Sequence, residues 1–561
     1  MTGRDKTSPR ARLADKASPG VFAAAGLIAV VTLVARVFGF GRWLVFSQSV
    51  GTTCVGSVYQ AANQLPNVVF EVAAGGALAA VAVPIIAGQL ARKEQAAATQ
   101  TASALLTWAL TVLVPLSILM AAAAAPLSTI LVDSQRCSGS TDLMASMLVV
   151  FAPQIALYGV AIVLGGVLQA HRRFLAAAVA PLLSSVVVMA AYLLYAALAQ
   201  GKGNDLARLP SPASTALAAG TTVGVVALSL PLLIPVHRAG IRLRPTWAFP
   251  HGVARRARAL AGAGLLALVA QQVAVLVTLW VSQHRGGTGT LNVYTYVQAV
   301  YLLPYAVLAV PIATAAFPAL ASGVNQSALA KGLGEASVER AHATLASSAR
   351  AITVATCAGA AVLFAIAGPT GAFFSALDAG RRSPAGQEAL AALPGALSAF
   401  APGLVGFGLA ALLTRALYVQ GRPVVAGGAV ALGWLIAAIV PLVTLHDDAG
   451  PRNTLQLLGF SSSLGMTVAA VGLFVAVHRA WGPRSFTGLG RSAAVALGAG
   501  ALSAAAGRGI AGSLDPRGLA AGAAVAMLVA IAVVTFCAAL IWIGDRQSAR
   551  LVLDKLRRGA R

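Results

Sequence analysis

Three residues deep in apolar sequence could do chemistry: Arg36, Arg42 and Glu71. They lie in the stretch Val34 to Pro84, VARVFGFGRWLVFSQSVGTTCVGSVYQAANQLPNVVFEVAAGGALAAVAVP. A charge in hydrocarbon costs ~3 kcal/mol or more, so such residues normally face a bundle interior or a wet cavity. The planar guanidinium suits bidentate recognition of phosphate. Two arginines in a membrane cavity would therefore grip an anionic head group; the alternative is snorkelling of either side chain to an interface. Six residues turn an ideal helix by about 600°, so Arg36 and Arg42 share a face only if the helix bends at Gly39 and Gly41. Glu71 either pairs with an arginine or takes up a proton or cation that drives transport.

Uncharged polar groups surround this set. Gln60, Asn63, Gln64 and Asn67 recur at helical spacing around Pro66, and Gln271, Gln272 and Gln298 lie in later apolar segments. They suit hydrogen bonds to sugar or amide groups, or equally helix–helix contacts. Pro66, Gly75, Gly76, Pro304 and Pro311, with Gly39 and Gly41, are candidate hinges or static kinks.

The elements that must position these residues are membrane helices. The chain has 561 residues, 58% hydrophobic and 10% charged, with mean hydropathy +0.82, too apolar for a soluble globular protein. Apolar runs able to cross ~30 Å of hydrocarbon recur throughout. Short alternating segments of a β-barrel are not seen. The reading is an all-α polytopic membrane protein with about 14 transmembrane helices. Their rough bounds are 21–48, 55–90, 101–132, 143–170, 174–199, 212–237, 257–283, 290–322, 346–374, 390–420, 423–445, 455–478, 489–508 and 518–544.

The net charge of +24 invites a nucleic-acid reading, but no loop is long enough to form a folded basic module. With the amino end inside, 29 of the 40 lysines and arginines fall in inner loops and tails and nine in outer loops; Arg36 and Arg42 complete the set. That asymmetry places both termini in the cytoplasm. Ser327 to Arg350 reads as an amphipathic helix at the inner surface or a solvated linker.

An internal repeat is visible. LPNVVFEVAAGGALAAVAVP in the second span echoes LPYAVLAVPIATAAFP in the eighth, and VLQAHRRFLAAAVAP echoes ALYVQGRPVVAGGAV. Both echoes are six spans apart, so the halves share orientation and are related by an axis along the membrane normal. The division is a basic tail (1–20), an N-lobe (21–238), a basic linker (239–256), a C-lobe (257–480), two further helices (481–545) and a basic tail (546–561). Two pseudo-symmetric six-helix lobes around a central cavity follow from it.

Catalytic and metal signals are weak. All seven histidines lie at span edges or in loops, and His446-Asp447-Asp448 reads as a solvated outer turn. No P-loop pattern is present, so no ATP site is expected. No catalytic residue, metal site or cofactor is expected beyond a coupling cation or the membrane potential. A membrane glycosyltransferase would need an outward acid, for which Asp133, Asp142 and Asp378 are the candidates. Cys357 and Cys537 fall within spans; Cys54 and Cys137 fall in outer loops, where an oxidising compartment permits a disulfide.

At VARVFGFGR, QLPNVVFEVAAGGALAAVAVP and ALYVQGRPVVAG the chain resembles the MurJ (MviN) lipid II flippase family of the multidrug/oligosaccharidyl-lipid/polysaccharide exporter superfamily. The resemblance covers nearly all the chain between the tails. It implies fourteen helices, a cationic central cavity and a groove for an isoprenoid tail made by the last two helices. It also implies a substrate, undecaprenyl-pyrophosphate carrying the peptidoglycan disaccharide-peptide, and alternating access without ATP. Arg36 and Arg42 match cavity arginines, and Leu65, Pro66 and Asn67 match the family's LPN motif. The chain departs from the family at Phe70 and Glu71, where two arginines are frequent, at Ser57, where an acid is frequent, and at Gln298 and Ala299, where Asp-Arg is frequent. Export of another lipid-linked glycan, or a non-transporting scaffold for cell-wall synthesis proteins, are the alternative readings. Membrane lipids are expected partners and nucleic acid is not.

Overall fold

The computed structural model describes residues 19–253, 264–323, 334–378, 384–547 and 549–551. Within them every regular element is a helix. In the first half these are α1 (Pro19–Ser49), α2 (Cys54–Phe70), α3 (Gly76–Ala91), α4 (Gln95–Ala122), α5 (Ala124–Leu131), α6 (Ser140–Phe151), α7 (Gln154–Ala170), α8 (Phe174–Ala199), α9 (Ser211–Ser229) and α10 (Leu233–Arg238). The second half opens with α11 (Leu265–Val281), α12 (Thr290–Pro304), α13 (Val310–Gly323), α14 (Gly334–Ala365), α15 (Ala367–Leu377) and α16 (Pro384–Ala391). It continues with α17 (Leu393–Phe400), α18 (Gly403–Val419), α19 (Pro423–Thr444), α20 (Gly450–Trp481), α21 (Leu489–Leu514) and α22 (Leu519–Gly544).

Among the described residues, 11 helices are long and apolar enough to cross a membrane, or up to 12 with the pair Pro384–Phe400 and Gly403–Val419, which bends by 49°. That measure stops short of the expected fourteen. Helices α1 and α2–α3 stand where the first two spans were expected.

The repeat is plainer in the backbone than in the sequence. The span made of α6 and α7 breaks after Phe151-Ala152-Pro153, and the span made of α17 and α18 breaks after Phe400-Ala401-Pro402. Proline cannot donate into the helix ladder, so both breaks have the same cause. The same offset carries Arg172 (φ 58°) onto Gly421 (φ 68°), two left-handed turns after matching helices. Each half has a wide helical turn after its Leu-Pro pair, Glu71–Gly75 and Tyr305–Ala309, and the second half has another at Ser282–Gly286. Such turns frequently mark functional positions.

Helices pack first within their own half: α8 on α1 and α9, α7 on α3 and α4, α19 and α18 on α20. The approach of α19 to α20 needs glycine. A Cβ on Gly433 would lie 2.6 Å from the Gly465 carbonyl oxygen, and one on Gly465 2.2 Å from that of Gly433. Contacts between the halves run through α2 with α12, α1 with α15, and α11 with the wide turn at Glu71.

One local expectation is corrected. Residues 337–350 are not a separate surface helix; they continue into α14, a single 32-residue helix. From Val338 to Gly359 no proline or glycine interrupts an Ala-rich run, so nothing stops the helix at the membrane surface. Lys331 lies outside the described residues.

Candidate functional site

The two halves meet most closely at the end of the bundle that holds the α1–α2 and α11–α12 turns. Gly51 (φ 67°) opens the first turn and Gly289 (φ 85°) closes the second, both in left-handed backbone and each followed by threonine. Thr53 caps α2, its hydroxyl accepting from the Gly56 N–H at 3.1 Å. Hydrogen bonds then cross between halves. The Asn292 amide donates to the Gly51 carbonyl at 2.7 Å. The Gly289 N–H donates to the Ser57 hydroxyl at 2.8 Å, and the Gln283 amide to the Ser57 carbonyl at 2.9 Å. The Thr52 hydroxyl and N–H both donate to the Asp378 carboxylate. Asp378 is 1% exposed. The Gln60 amide reaches Thr295 at 3.4 Å, and Arg136 donates to the His284 carbonyl at 2.8 Å. A disulfide, Cys54–Cys137, Cα–Cα 6.1 Å, ties α2 to the turn before α6 at this end.

Below this seal the first half holds a polar, aromatic interior. The Tyr59 hydroxyl lies 3.0 Å from both Tyr192 and Thr221 hydroxyls, with Phe46 stacked on the Tyr59 ring. Arg42 faces this group, within electrostatic reach of Tyr59, Tyr158 and Tyr192. Its Cζ lies 5.5 Å from the Trp43 ring, and its Nε is shielded with no hydrogen-bond partner. Of Arg36 only the backbone, within α1, is described. Glu71 begins the first wide turn, half-buried; no salt bridge to it is found among the described residues. Asn63 is half-buried with an unpartnered Oδ1, and Asn67 is exposed.

A second polar group forms between the halves. Gln64 of α2, Gln271 of α11 and Gln298 of α12 line one cavity of about 270 Å³ with Thr278, Tyr294 and Trp434. The Gln298 amide donates to the Tyr294 hydroxyl at 3.0 Å. Arg42 does not line this cavity, and Gln272 is buried elsewhere on α11. The structure thus brings three of the predicted glutamines together and leaves Arg42 among the N-half tyrosines. Helix α1 runs unbroken through Gly39 and Gly41. Pro66 is buried inside α2, Gly75 and Gly76 join the first wide turn to α3, Pro304 precedes the wide turn Tyr305–Ala309, and Pro311 is exposed in α13.

An apolar groove of about 680 Å³ runs along α14, α18, α20 and α21, with Cys357, Phe364, Val405, Phe474 and Leu497 on its walls. Among the described residues no group of three or more His, Cys, Asp or Glu could hold a metal ion. Asp447 pairs with Arg285 at 3.4 Å, and Asp133 with Arg136 at 3.2 Å. Sequence reasoning missed the seal of Thr52, Ser57, Asn292 and Asp378. The Gly-Thr pair present in both turns was the available signal.

The sequence model of the family described as lipid II flippase MurJ matches residues 46–535. A probable lipid II flippase MurJ of Rhizobium meliloti (strain 1021) is 26% identical over 305 residues, 52% of this chain and 54% of that protein. One of Synechocystis sp. (strain ATCC 27184 / PCC 6803 / Kazusa) is 28% identical over 242 residues, 42% of this chain and 44% of that protein. The chain spans about half the length of the curated relatives it matches. Its fold is similar to a lipid II flippase MurJ solved in an inward closed conformation: TM-score 0.69, 15% identity, 92% of this chain and 98% of that one. It is also similar to an inward-facing MATE transporter of the MOP superfamily: TM-score 0.61, 14% identity, 83% of this chain and 99% of that one.

Proposed function

The chain belongs to the MurJ lipid II flippase family, and from that premise we propose that it moves undecaprenyl-pyrophosphate-linked disaccharide-peptide outward across the cytoplasmic membrane by alternating access. The family match over residues 46–535 carries this reading. The polar seal between the halves at one end supports it, because alternating access needs an end that can close. With both termini in the cytoplasm, the disulfide end is the outer one and the sealed state faces inward.

Arg36 and Arg42 meet the pyrophosphate, a doubly charged group suited to guanidinium forks. Gln64, Gln271 and Gln298, with Asn63 and Asn67 of α2, serve the sugar and peptide amides; Gln272, buried away from that cavity, does not line it. Glu71 is the group for a coupling cation or proton. The drive is an ion gradient or the membrane potential, worth about 2.3 kcal/mol per charge per 100 mV. The lobes are 21–238 and 257–480, and the apolar groove beside α21 takes the isoprenoid chain.

Replacement of a depleted lipid II flippase by this chain tests the reading. Restored growth, with precursor exposed at the outer face, is expected. Lysis with precursor held at the inner face, despite normal membrane levels of the protein, would refute it.

A further inference from the structure

A cavity of about 960 Å³ opens at the end opposite the disulfide, between the start of α14, the short turn Pro483–Phe486 and the start of α21. The transport reading does not use it. Its charged and polar lining is Glu339, His342, Arg350, Arg484, Thr487 and Gln547. Arg350 is half-buried, and its Nε is shielded without a hydrogen-bond partner. No ion pair to it is found among the described residues. A shielded donor on a charged group without an acceptor is unfavourable and points to an absent anion. The Arg350 guanidinium lies against Gly488, its Nη1 3.3 Å from where a Cβ would stand, beside the start of α21. Arg484 is exposed on the rim.

His342 adds a third donor. Its Nδ1 lies 3.1 Å from the Ser485 hydroxyl, and its ring stands edge-on to Trp481 at 5.6 Å. The hydroxyl can donate to Nδ1, which leaves Nε2–H to face the cavity. Glu339 is the one acid on the lining and is exposed, against two arginines. This set favours an anion with several acceptor oxygens, such as phosphate.

The surroundings favour a lipid as its carrier. Helix α14, whose start lines this cavity, continues into the wall of the apolar groove. From Arg350 to Cys357 is two turns of α14, roughly 10 Å. Phe474 on the groove wall packs against Phe486, ring centroids 4.3 Å apart, two residues from Arg484. Donors gathered at the ends of two candidate membrane spans, Ser337–Ala365 and Pro483–Leu514, stand where a lipid head group lies.

We infer that Arg350 and Arg484 form a binding site for the phosphate of a bilayer phospholipid at the inner surface of the membrane. The site stands apart from whichever lipid is translocated. The test uses the full chain in detergent, with native mass spectrometry after incubation with phosphatidylglycerol or phosphatidylcholine. Preferential retention of phosphatidylglycerol is expected. Arg350→Gln with Arg484→Gln should lower that retention at least tenfold. Arg484→Gln alone, at an exposed position, should lower it with an unchanged melting temperature, while Arg484→Lys keeps most of it. Equal retention by the native protein and the double variant overturns the site. Complete displacement by millimolar inorganic phosphate overturns the lipid as its source.

Discussion

Asp378 is a carboxylate held at 1% exposure by the hydroxyl and N–H of Thr52, across the line where the two halves meet. A hydrogen bond to a charged group contributes about 1.5–3 kcal/mol, more than a neutral one. Thr52→Val removes the hydroxyl that donates to this buried carboxylate across the interface. The expected outcome is a shift of roughly tenfold or more towards the state with the disulfide end open. Labelling of a Val293→Cys reporter, fully buried beside Asn292, by a membrane-impermeant thiol reagent reads it; unchanged labelling would remove the seal from the gating cycle. Arg42 calls for a different prediction. Its Nε has no protein partner, so Arg42→Ala should spare folding and cut function. Arg42→Ala and Arg36→Ala are each expected to fail in replacing a depleted lipid II flippase while reaching normal membrane levels. Normal growth of both would end the pyrophosphate role.

At the scale of elements, small residues and breaks decide the packing. Gly433 and Gly465 set the distance between α19 and α20, and a side chain on either meets backbone rather than a movable atom. Gly465→Val should therefore cost about 1–3 kcal/mol by overpacking, seen as a lowered thermal midpoint in detergent. The Cys54–Cys137 bond closes a sequence separation of 83 and fixes the turn before α6 against the start of α2. Its loss in Cys137→Ser is expected to cost about 2–4 kcal/mol, and reductant should reproduce the effect in the native protein but not in the variant. The segment after α10 has its own anchoring. Thr246 donates its N–H to Thr107, Arg244 donates its N–H to Ser103, and the indoles of Trp108 and Trp247 donate to the Trp247 carbonyl and Thr111. Non-helical backbone near a bilayer needs such partners, and a row of hydroxyls along α4 supplies them.

At the scale of the whole molecule, two repeated halves touch through polar contacts at one end, with the Gln64, Gln271 and Gln298 cavity between them. Apolar packing joins the same interface, with the Phe46 ring lying 6.3 Å from that of Tyr296, so parting this end exchanges both polar and apolar contacts. If the membrane potential drives the cycle, its collapse by an ionophore should stop precursor exposure in cells that depend on this chain, while a collapsed proton gradient at preserved potential should not. The reverse result would move the coupling to a proton, with Glu71 as the first residue to examine.

Much of this was legible in the sequence because membrane physics is one-dimensional. Spanning length, loop charge and proline or glycine breaks are local properties, so helix positions, the twofold repeat and the family motifs could be read from Val34–Pro84 and its echo at Leu303. The fate of Ser327–Arg350 was not legible, since amphipathic composition does not say whether a helix stops at the surface or runs on into α14. Nor could the sequence bring Thr52 to Asp378, 326 positions away, or gather Gln64, Gln271 and Gln298 around one cavity while leaving Arg42 among tyrosines. Those arrangements depend on how the two halves rotate against each other. That rotation is set by side chains meeting across the interface, and only the tertiary structure fixes which ones meet.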